Sequence, residues 1–118
     1  MKRTRQKPVI YIFGNPLVEG DAIPVKLFPV LAKQFPGVRF RYVDPTENWW
    51  EGEDDVVIID TVKGIEHVML FSSLVHFQQV RPVTPHDYDV YFDVSLLIKT
   101  GKIKHVRIIG IPFSWPML

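Results

Sequence analysis

Residues 56–60 read Val56-Val57-Ile58-Ile59-Asp60, four β-branched residues followed by an aspartate. β-branched side chains at successive positions point to both faces of a sheet, so this run is typical of a strand that is buried on both sides. It predicts the central strand of a mostly parallel sheet. Asp60 then stands at the carboxyl end of that strand, which is the edge where open α/β sheets bind their ligands.

Four more segments predict strands around this one. Residues 8–13 form a short, nearly continuous apolar run that ends at Gly14-Asn15-Pro16, as expected for a buried strand and its exit turn. Residues 38–43 alternate apolar and basic side chains, which indicates a strand near the sheet edge with one solvent-facing side. Residues 67–71 and 105–111 predict the remaining two strands.

Two segments carry helix signals. From Asp21 onward, apolar residues recur at helical spacing, and Asp21 is placed to cap the first turn. Pro29 removes one interior hydrogen bond and should kink this helix. A second helix is predicted to begin at Thr84-Pro85-His86-Asp87, a variant of the capping box, and to end near Gly101. Strands that alternate with helices predict an α/β fold, a three-layer sandwich around a mostly parallel, mixed sheet of about five strands.

Length and composition limit the classes of function. With 118 residues, 47% of them hydrophobic, the chain is sized for one domain, assigned to residues 8–118 after a disordered basic tail at residues 1–7. The 14 basic and 13 acidic residues give a formal charge of +1, which argues against nucleic-acid or anionic-membrane binding. The chain has no cysteine, which excludes disulfides, thiolate metal sites and a cysteine nucleophile. No apolar stretch of signal-peptide type follows the basic tail, so a cytoplasmic location is expected.

Three polar residues fall where an α/β sheet places its site: Asp21, Asp60 and His86. Each has a simpler explanation, since Asp21 could cap a helix, Asp60 could merely end a strand and His86 could lie on the surface. Two carboxylates and one imidazole at one edge would form a mixed N/O site for a borderline divalent metal. The positive end of the second helix also favours a neutral His86, the form that donates a lone pair to a metal.

Other chemistries lack their motifs. The chain contains no Gly-x-Ser-x-Gly elbow, no His-Glu-x-x-His pair, no phosphate-binding P-loop and no dinucleotide-binding fingerprint. Trp49-Trp50, which stands among acidic residues, has two interpretations. It could be a docking patch for a partner, or one tryptophan could close the core beneath a loop.

Four segments, taken in order, match a known pattern. Residues 12–25 contain a strand end, Gly14-Asn15-Pro16-Leu17, two positions for acids and a helix start. Val56–Val62 is a hydrophobic strand with an aspartate before a small residue, Thr84–Asp87 is a Ser/Thr-Pro-His helix start, and Val106–Pro112 is a closing strand. In this order the segments resemble the hydrogenase maturation protease family, peptidase family A31. The resemblance implies a phosphorylase/hydrolase-like fold.

The resemblance implies a function as well. Members of the family are hydrolases, aspartyl-type endopeptidases that remove the C-terminal extension of a nickel-loaded large-subunit precursor of nickel-iron hydrogenase. Matched position by position, the nickel-binding and catalytic roles fall on Asp21, Asp60 and His86. Nickel is then brought by the substrate. The expected partner is the hydrogenase precursor rather than a nucleic acid, a membrane or a small molecule.

The chain departs from the family pattern at several positions. Gly20 stands where the family usually has an acid, and three residues replace its usual glycines, Ala22, Pro24 and Pro45. Six residues follow Pro112, so the usual C-terminal helix is expected to be missing. Nearby apolar side chains are then expected to be partly exposed or covered by another chain, namely Ile109, Ile111, Phe113 and Trp115.

Two alternative functions stay open on the same residues. The first is a non-catalytic, metal-dependent assembly or binding protein on the same scaffold, which the departures at Gly20 and after Pro112 favour. The second is an unrelated small α/β hydrolase whose acids act as general bases. Turnover of a nickel-loaded precursor would separate the processing enzyme from the assembly protein, and dependence on nickel would separate both from the general-base hydrolase.

Overall fold

In a computed structural model of the chain, the described residues are 7–14, 22–43, 48–62, 64–73 and 94–113. The strands are β1 (Val9–Ile12), β2 (Arg39–Tyr42), β3 (Asp55–Val62), β4 (Met69–Phe71) and β5 (His105–Pro112). Helix α1 spans Ile23–Gln34 between β1 and β2. Residues 94–99, between β4 and β5, are also helical and are called α2.

The five strands form one sheet in the order β2-β1-β3-β5-β4. β1 pairs in parallel with both β2 and β3, and β3 pairs in parallel with β5. Among the strands in the described residues, only β4, at one edge, is antiparallel to its neighbour. This confirms the predicted α/β fold with a mostly parallel, mixed sheet, with the β-branched strand β3 at its centre and the Arg-rich strand β2 at an edge.

The predicted fourth strand, residues 67–71, is shorter than expected because it begins only at Met69. Met69 lies opposite Gly110 in the antiparallel pair, so His67 would lie opposite Pro112. Proline has no amide hydrogen to donate to a ladder, and sheet pairing ends readily beside it. β3 instead extends by one residue before and two residues after the predicted run 56–60, and β5 extends by one residue, Pro112.

The helix ends follow the local sequence signals in part. Helix α1 has Pro24 in its first turn and Pro29 in its interior, as predicted. Its N-cap residue is Ala22, one position after the predicted cap, and Asp21 lies outside the described residues. Gly101 lies two residues after the end of α2, has a φ of 77° and donates its amide hydrogen to the Ile98 carbonyl oxygen, as a glycine that follows a helix does. The predicted helix start at Thr84–Asp87 also lies outside the described residues.

The connections between strands explain which face of the sheet each element covers. From β1 the chain moves outward to β2, and from β2 it returns across β1 to β3 and on towards β5. Right-handed crossovers in opposite directions must lie on opposite faces. Accordingly, α1 packs on one face, while residues 48–54 and α2 lie on the other. The direction reverses between β1 and β3, which is therefore the topological switch point of the sheet.

Each face has its own hydrophobic core. The α1 core combines α1 with one face of the strands, and its buried members are Ile12, Ile23, Phe40, Ile59 and Ile111. The larger core lies on the other face, with Tyr11, Phe13, Val43, Trp49, Val56, Ile58, Val62, Phe71, Val94, Ile103, Val106 and Ile108. The side chains along β1, β3 and β5 alternate between the two cores. Burial on both faces is greatest towards the carboxyl ends of β3 and β5, whereas Asp55, His105 and Arg107 near their amino ends are exposed. This completes the predicted three-layer arrangement.

Residues 48–54 cover the larger core without forming a helix. Trp49 is only 4% exposed and packs edge-on against the rings of Tyr11 and Phe13, with centroids 4.9 Å and 5.3 Å away. Such aromatic pairs stabilise a core beyond the area they bury. Of the two interpretations of Trp49-Trp50, closure of the core beneath a loop is therefore the correct one for Trp49.

A polar network holds this loop to the strands and is called the Tyr11 clasp. The Tyr11 hydroxyl donates to the Glu53 carboxylate, 2.6 Å from Oε2, and accepts a hydrogen bond from the Glu51 amide at 3.0 Å. Glu51 in turn binds the guanidinium groups of Arg39, at 2.6 Å, and Arg41. Burial, together with the hydrogen bond to Glu53, raises the pKa of Tyr11. The hydrogen bond from Arg39 lowers the pKa of Glu51.

The apolar side chains near the end of β5 differ from the prediction. Ile111 is 4% exposed because Ile12, Ile59 and the α1 core cover it, so its expected exposure is wrong. Ile109 and Phe113 are half-buried, and Trp115 lies outside the described residues. None of the helices in the described parts of the chain has the length and apolar character that a bilayer crossing needs.

Candidate functional site

β1 and β2 end level with each other, and β3 runs beside them and continues for two residues past Asp60. The Val43 amide donates to the Ile12 carbonyl oxygen at 3.0 Å, and the Phe13 amide donates to the Ile59 carbonyl oxygen at 2.9 Å. Val43, Phe13 and Asp60 therefore lie side by side across this edge. Because the switch point between β1 and β3 is part of it, this is the edge where ligands bind in open α/β sheets.

Asp60 is the candidate functional residue that the structure places at this edge. Its alternation with Ile58 and Val62 puts its side chain on the face of the larger core, and it is only 8% exposed. The Thr61 amide donates to Asp60 Oδ1 at 2.8 Å, which orients the carboxylate. Burial of a carboxylate is costly unless it is paired, hydrogen-bonded or bound to a metal, so a buried aspartate at a ligand-binding edge is a candidate for function.

The strand next to Asp60 carries no side chain at the matching position. Asp60 lies opposite Gly110 of β5. A Cβ atom on Gly110 would lie 2.7 Å from Phe71 Cε2 and 2.9 Å from Val62 Cγ2, closer than real contacts allow. Gly110 is therefore required for Phe71 and Val62 to pack across β5.

The exit of β1 is held by a residue that the sequence analysis missed. The Tyr42 hydroxyl, at the end of β2, donates to the Gly14 carbonyl oxygen at 2.9 Å. Gly110 was missed as well, although an isolated glycine inside a β-branched run is a signal of close packing. Tyr42 has no comparable signal, because the contact joins residues that are far apart in the sequence.

The two other predicted site residues, Asp21 and His86, lie outside the described residues. The structure places Ala22 and Ile23, the residues directly after Asp21, in buried positions at the start of α1. In the described ranges no three His, Asp or Glu side chains are grouped closely enough to hold a metal ion, and Asp60 is the one predicted ligand among them. Convergence of the trio stays a prediction.

A second carboxylate and imidazole pair occurs at the opposite edge of the sheet. His105 Nδ1 lies 2.9 Å from Asp55 Oδ1, and their side chains are 77% and 63% exposed. This pair joins the amino ends of β3 and β5, where open α/β sheets do not place their ligand sites. It is an exposed surface pair, and it makes Asp55 a natural comparison for Asp60 on the same strand.

Comparison with known proteins shows the fold. No protein-family model matches the chain, and no curated protein matches it by sequence. The hydrogenase maturating endopeptidase HybD from E. coli is similar in structure, with a TM-score of 0.61 and 18% identity over 89% of this chain and 74% of that one. The hydrogenase 3 maturation protease gives a TM-score of 0.59 and 16% identity over 96% of this chain and 80% of that one.

A third solved structure, an endopeptidase from Escherichia coli, gives a TM-score of 0.58 and 20% identity over 87% of this chain and 73% of that one. At these identities the likeness is one of fold. It extends over most of the chain.

Proposed function

We propose that this chain is a processing endopeptidase that removes the C-terminal extension of a nickel-loaded precursor of the nickel-iron hydrogenase large subunit. In this proposal Asp21, Asp60 and His86 bind the nickel ion that the precursor brings. The observation that carries it is the position of Asp60, a buried carboxylate two residues before the carboxyl end of the central strand and at the switch point of the sheet.

The fold neighbours support this choice among the functions that such a site can serve. Two of them are named as proteins of hydrogenase maturation, and all three reported above are named as endopeptidases or proteases. Many unrelated functions share α/β folds, so the fold alone carries little weight. The site residue and the names of the neighbours point in the same direction, and together they favour peptide-bond hydrolysis.

The chemistry of the donor set suits the proposed substrate. Two carboxylates and a neutral imidazole are N and O ligands that a borderline divalent ion such as nickel accepts. A carboxylate accepts at about four positions, and the Thr61 amide uses one of them on Asp60 Oδ1. The nickel is part of the substrate here, so the site recognises a precursor in which metal insertion is complete.

The proposal also includes a cellular location and a partner. The enzyme acts as an aspartyl-type endopeptidase in the cytoplasm, and its partner is the hydrogenase precursor. The absence of cysteine in the sequence suits a site that does not use thiolates, and the formal charge of +1 does not favour a polyanion as the substrate.

Incubation with nickel-loaded and nickel-free precursors of nickel-iron hydrogenase large subunits, read by intact mass, tests the proposal. We expect loss of one C-terminal peptide from the nickel-loaded precursor and no change in the nickel-free one. Cleavage that ignores nickel would favour the unrelated hydrolase, and nickel-dependent binding without any cleavage would favour the assembly protein. Either result would overturn the proposal.

A further inference from the structure

The segment that carries Asp21, residues 15–21, is flanked by two fixed points. At its far end, Ala22 and Ile23 are 6% and 5% exposed, and the Lys26 amide donates to the Ala22 carbonyl oxygen at 3.0 Å. Burial in the α1 core and the first helical hydrogen bond thus fix the place where the chain enters α1.

The residues directly before the segment, Phe13 and Gly14, are held by hydrogen bonds to two different strands. The Phe13 amide is bonded to the Ile59 carbonyl oxygen on β3, and the Gly14 carbonyl oxygen accepts the Tyr42 hydroxyl from β2. Tyr42 is 42% exposed, so its ring contributes less to the core than a buried aromatic side chain would. Its hydroxyl nevertheless contacts the Gly14 carbonyl oxygen, at the point where the chain leaves the sheet after β1.

We propose that Tyr42 is a positioning residue for the site, because its hydroxyl holds the exit of β1 and with it the start of the segment that carries Asp21. The inference rests on the proposed function, in which Asp21 binds nickel together with Asp60. Fixing the residues on both sides of a segment leaves the chain between them fewer conformations than fixing the residues on one side alone. A displacement of about 1 Å at a reacting centre can lower the rate about a hundredfold.

A merely structural hydrogen bond would have a different signature, and Tyr11 provides the matched control. Tyr11 also sits on the sheet and donates its hydroxyl, but it is fully buried and its acceptor is Glu53 in the Tyr11 clasp. Tyr11→Phe and Tyr42→Phe remove the same single atom. Loss of the buried hydroxyl leaves Glu53 and the Glu51 amide without their tyrosine partner, so Tyr11→Phe should reduce stability more than Tyr42→Phe.

The experiment compares the wild type, Tyr42→Phe and Tyr11→Phe in cleavage of nickel-loaded precursor, well below their unfolding temperatures. We expect Tyr42→Phe to lower kcat about tenfold to a hundredfold. KM should rise as well, because in the proposed function Asp21 binds the nickel that the substrate carries. Tyr11→Phe should keep wild-type kcat and KM although it unfolds at a lower temperature. Wild-type values of both kcat and KM in Tyr42→Phe would overturn the positioning role.

Amide hydrogen exchange tests whether the Tyr42 hydroxyl holds this part of the chain, and it does so without the cleavage reaction. Peptides that span residues 13–23 should exchange faster in Tyr42→Phe than in the wild type, and at an unchanged rate in Tyr11→Phe under native conditions. Unchanged exchange in Tyr42→Phe would overturn the inference whatever the activity. If the wild type cleaves no precursor, the proposed function fails, and the exchange data still decide whether Tyr42 holds the segment.

Discussion

At the scale of single residues, the two aspartates of β3 occupy opposite ends of one strand. Asp60 is buried at the carboxyl end, whereas Asp55 is exposed at the amino end and pairs with His105. Both are aspartates on the same strand, so a comparison of variants at the two positions separates the effect of position from the effect of a lost negative charge.

We predict that Asp60→Asn lowers nickel-dependent cleavage at least as much as the roughly 10- to 100-fold that loss of an outer-shell partner costs a metal site. The amide oxygen of asparagine can still accept the Thr61 hydrogen bond, so the fold should persist. Cleavage rates and circular dichroism spectra measure the two effects. Asp55→Asn should cleave normally, and equal losses in both variants would contradict the assignment of the site to the carboxyl edge.

The residue scale also shows what the sequence can and cannot predict about the site. Asp60 was predictable because a carboxylate after a β-branched run is a local pattern. Tyr42 was not, since its hydroxyl contacts Gly14 over a separation of 28 residues. No local spacing encodes that contact; it exists because β1 and β2 are neighbours in the sheet. Asp21 and His86 stay predictions, because both lie outside the described residues.

At the scale of elements, the packing of β4 on β5 depends on the absence of a side chain at Gly110. We predict that Gly110→Ala destabilises the protein by about 1–3 kcal/mol, the usual cost of overpacking a core, because the new methyl group meets Phe71 and Val62. Denaturant unfolding measures the change.

The control for this prediction is Gly37→Ala, where a Cβ atom has nothing within 4 Å. This variant should differ from the wild type by no more than about 0.5 kcal/mol, as is usual for surface substitutions. If Gly110→Ala changed the free energy of unfolding by as little, the close packing of Phe71 over β5 would not be the reason why position 110 is a glycine.

The sequence also predicted some elements better than others. The central strand and the alternating edge strand were recognised because their side-chain patterns are local. The antiparallel direction of β4 had no such signal, because Met69–Phe71 is too short to show a period. The role of Trp49 could not be decided either, since its aromatic partners Tyr11 and Phe13 come from a strand far earlier in the chain.

At the scale of the whole molecule, the Tyr11 clasp links folding stability to pH. Burial and the hydrogen bond to Glu53 raise the pKa of Tyr11 above its ordinary value of about 10. Above that pH the unfolded chain releases the tyrosine proton while the folded chain keeps it. The stabilisation is therefore complete below about pH 10 and is lost progressively as the pH rises.

We predict that the free energy of unfolding of the wild type falls above about pH 10 more steeply than that of Tyr11→Phe. The difference in slope should approach about 1.4 kcal/mol per pH unit, the value for one proton. Urea titrations between about pH 9 and about pH 11 measure it. Parallel curves for the two proteins would show that Tyr11 is not held in its protonated form by the fold.

The central position of β3 also has a consequence for how the chain reaches its native state. β3 pairs on one side with β1 and on the other with β5, and the pair Asp55 and His105 is 50 residues apart in sequence. Contacts between such distant segments raise the contact order, which slows folding relative to helical proteins of the same size. During synthesis, β3 emerges long before β5 can cover it. Until residues 105–112 leave the ribosome, its β-branched edge is open to other nascent chains, and this interval is the period of greatest risk of aggregation.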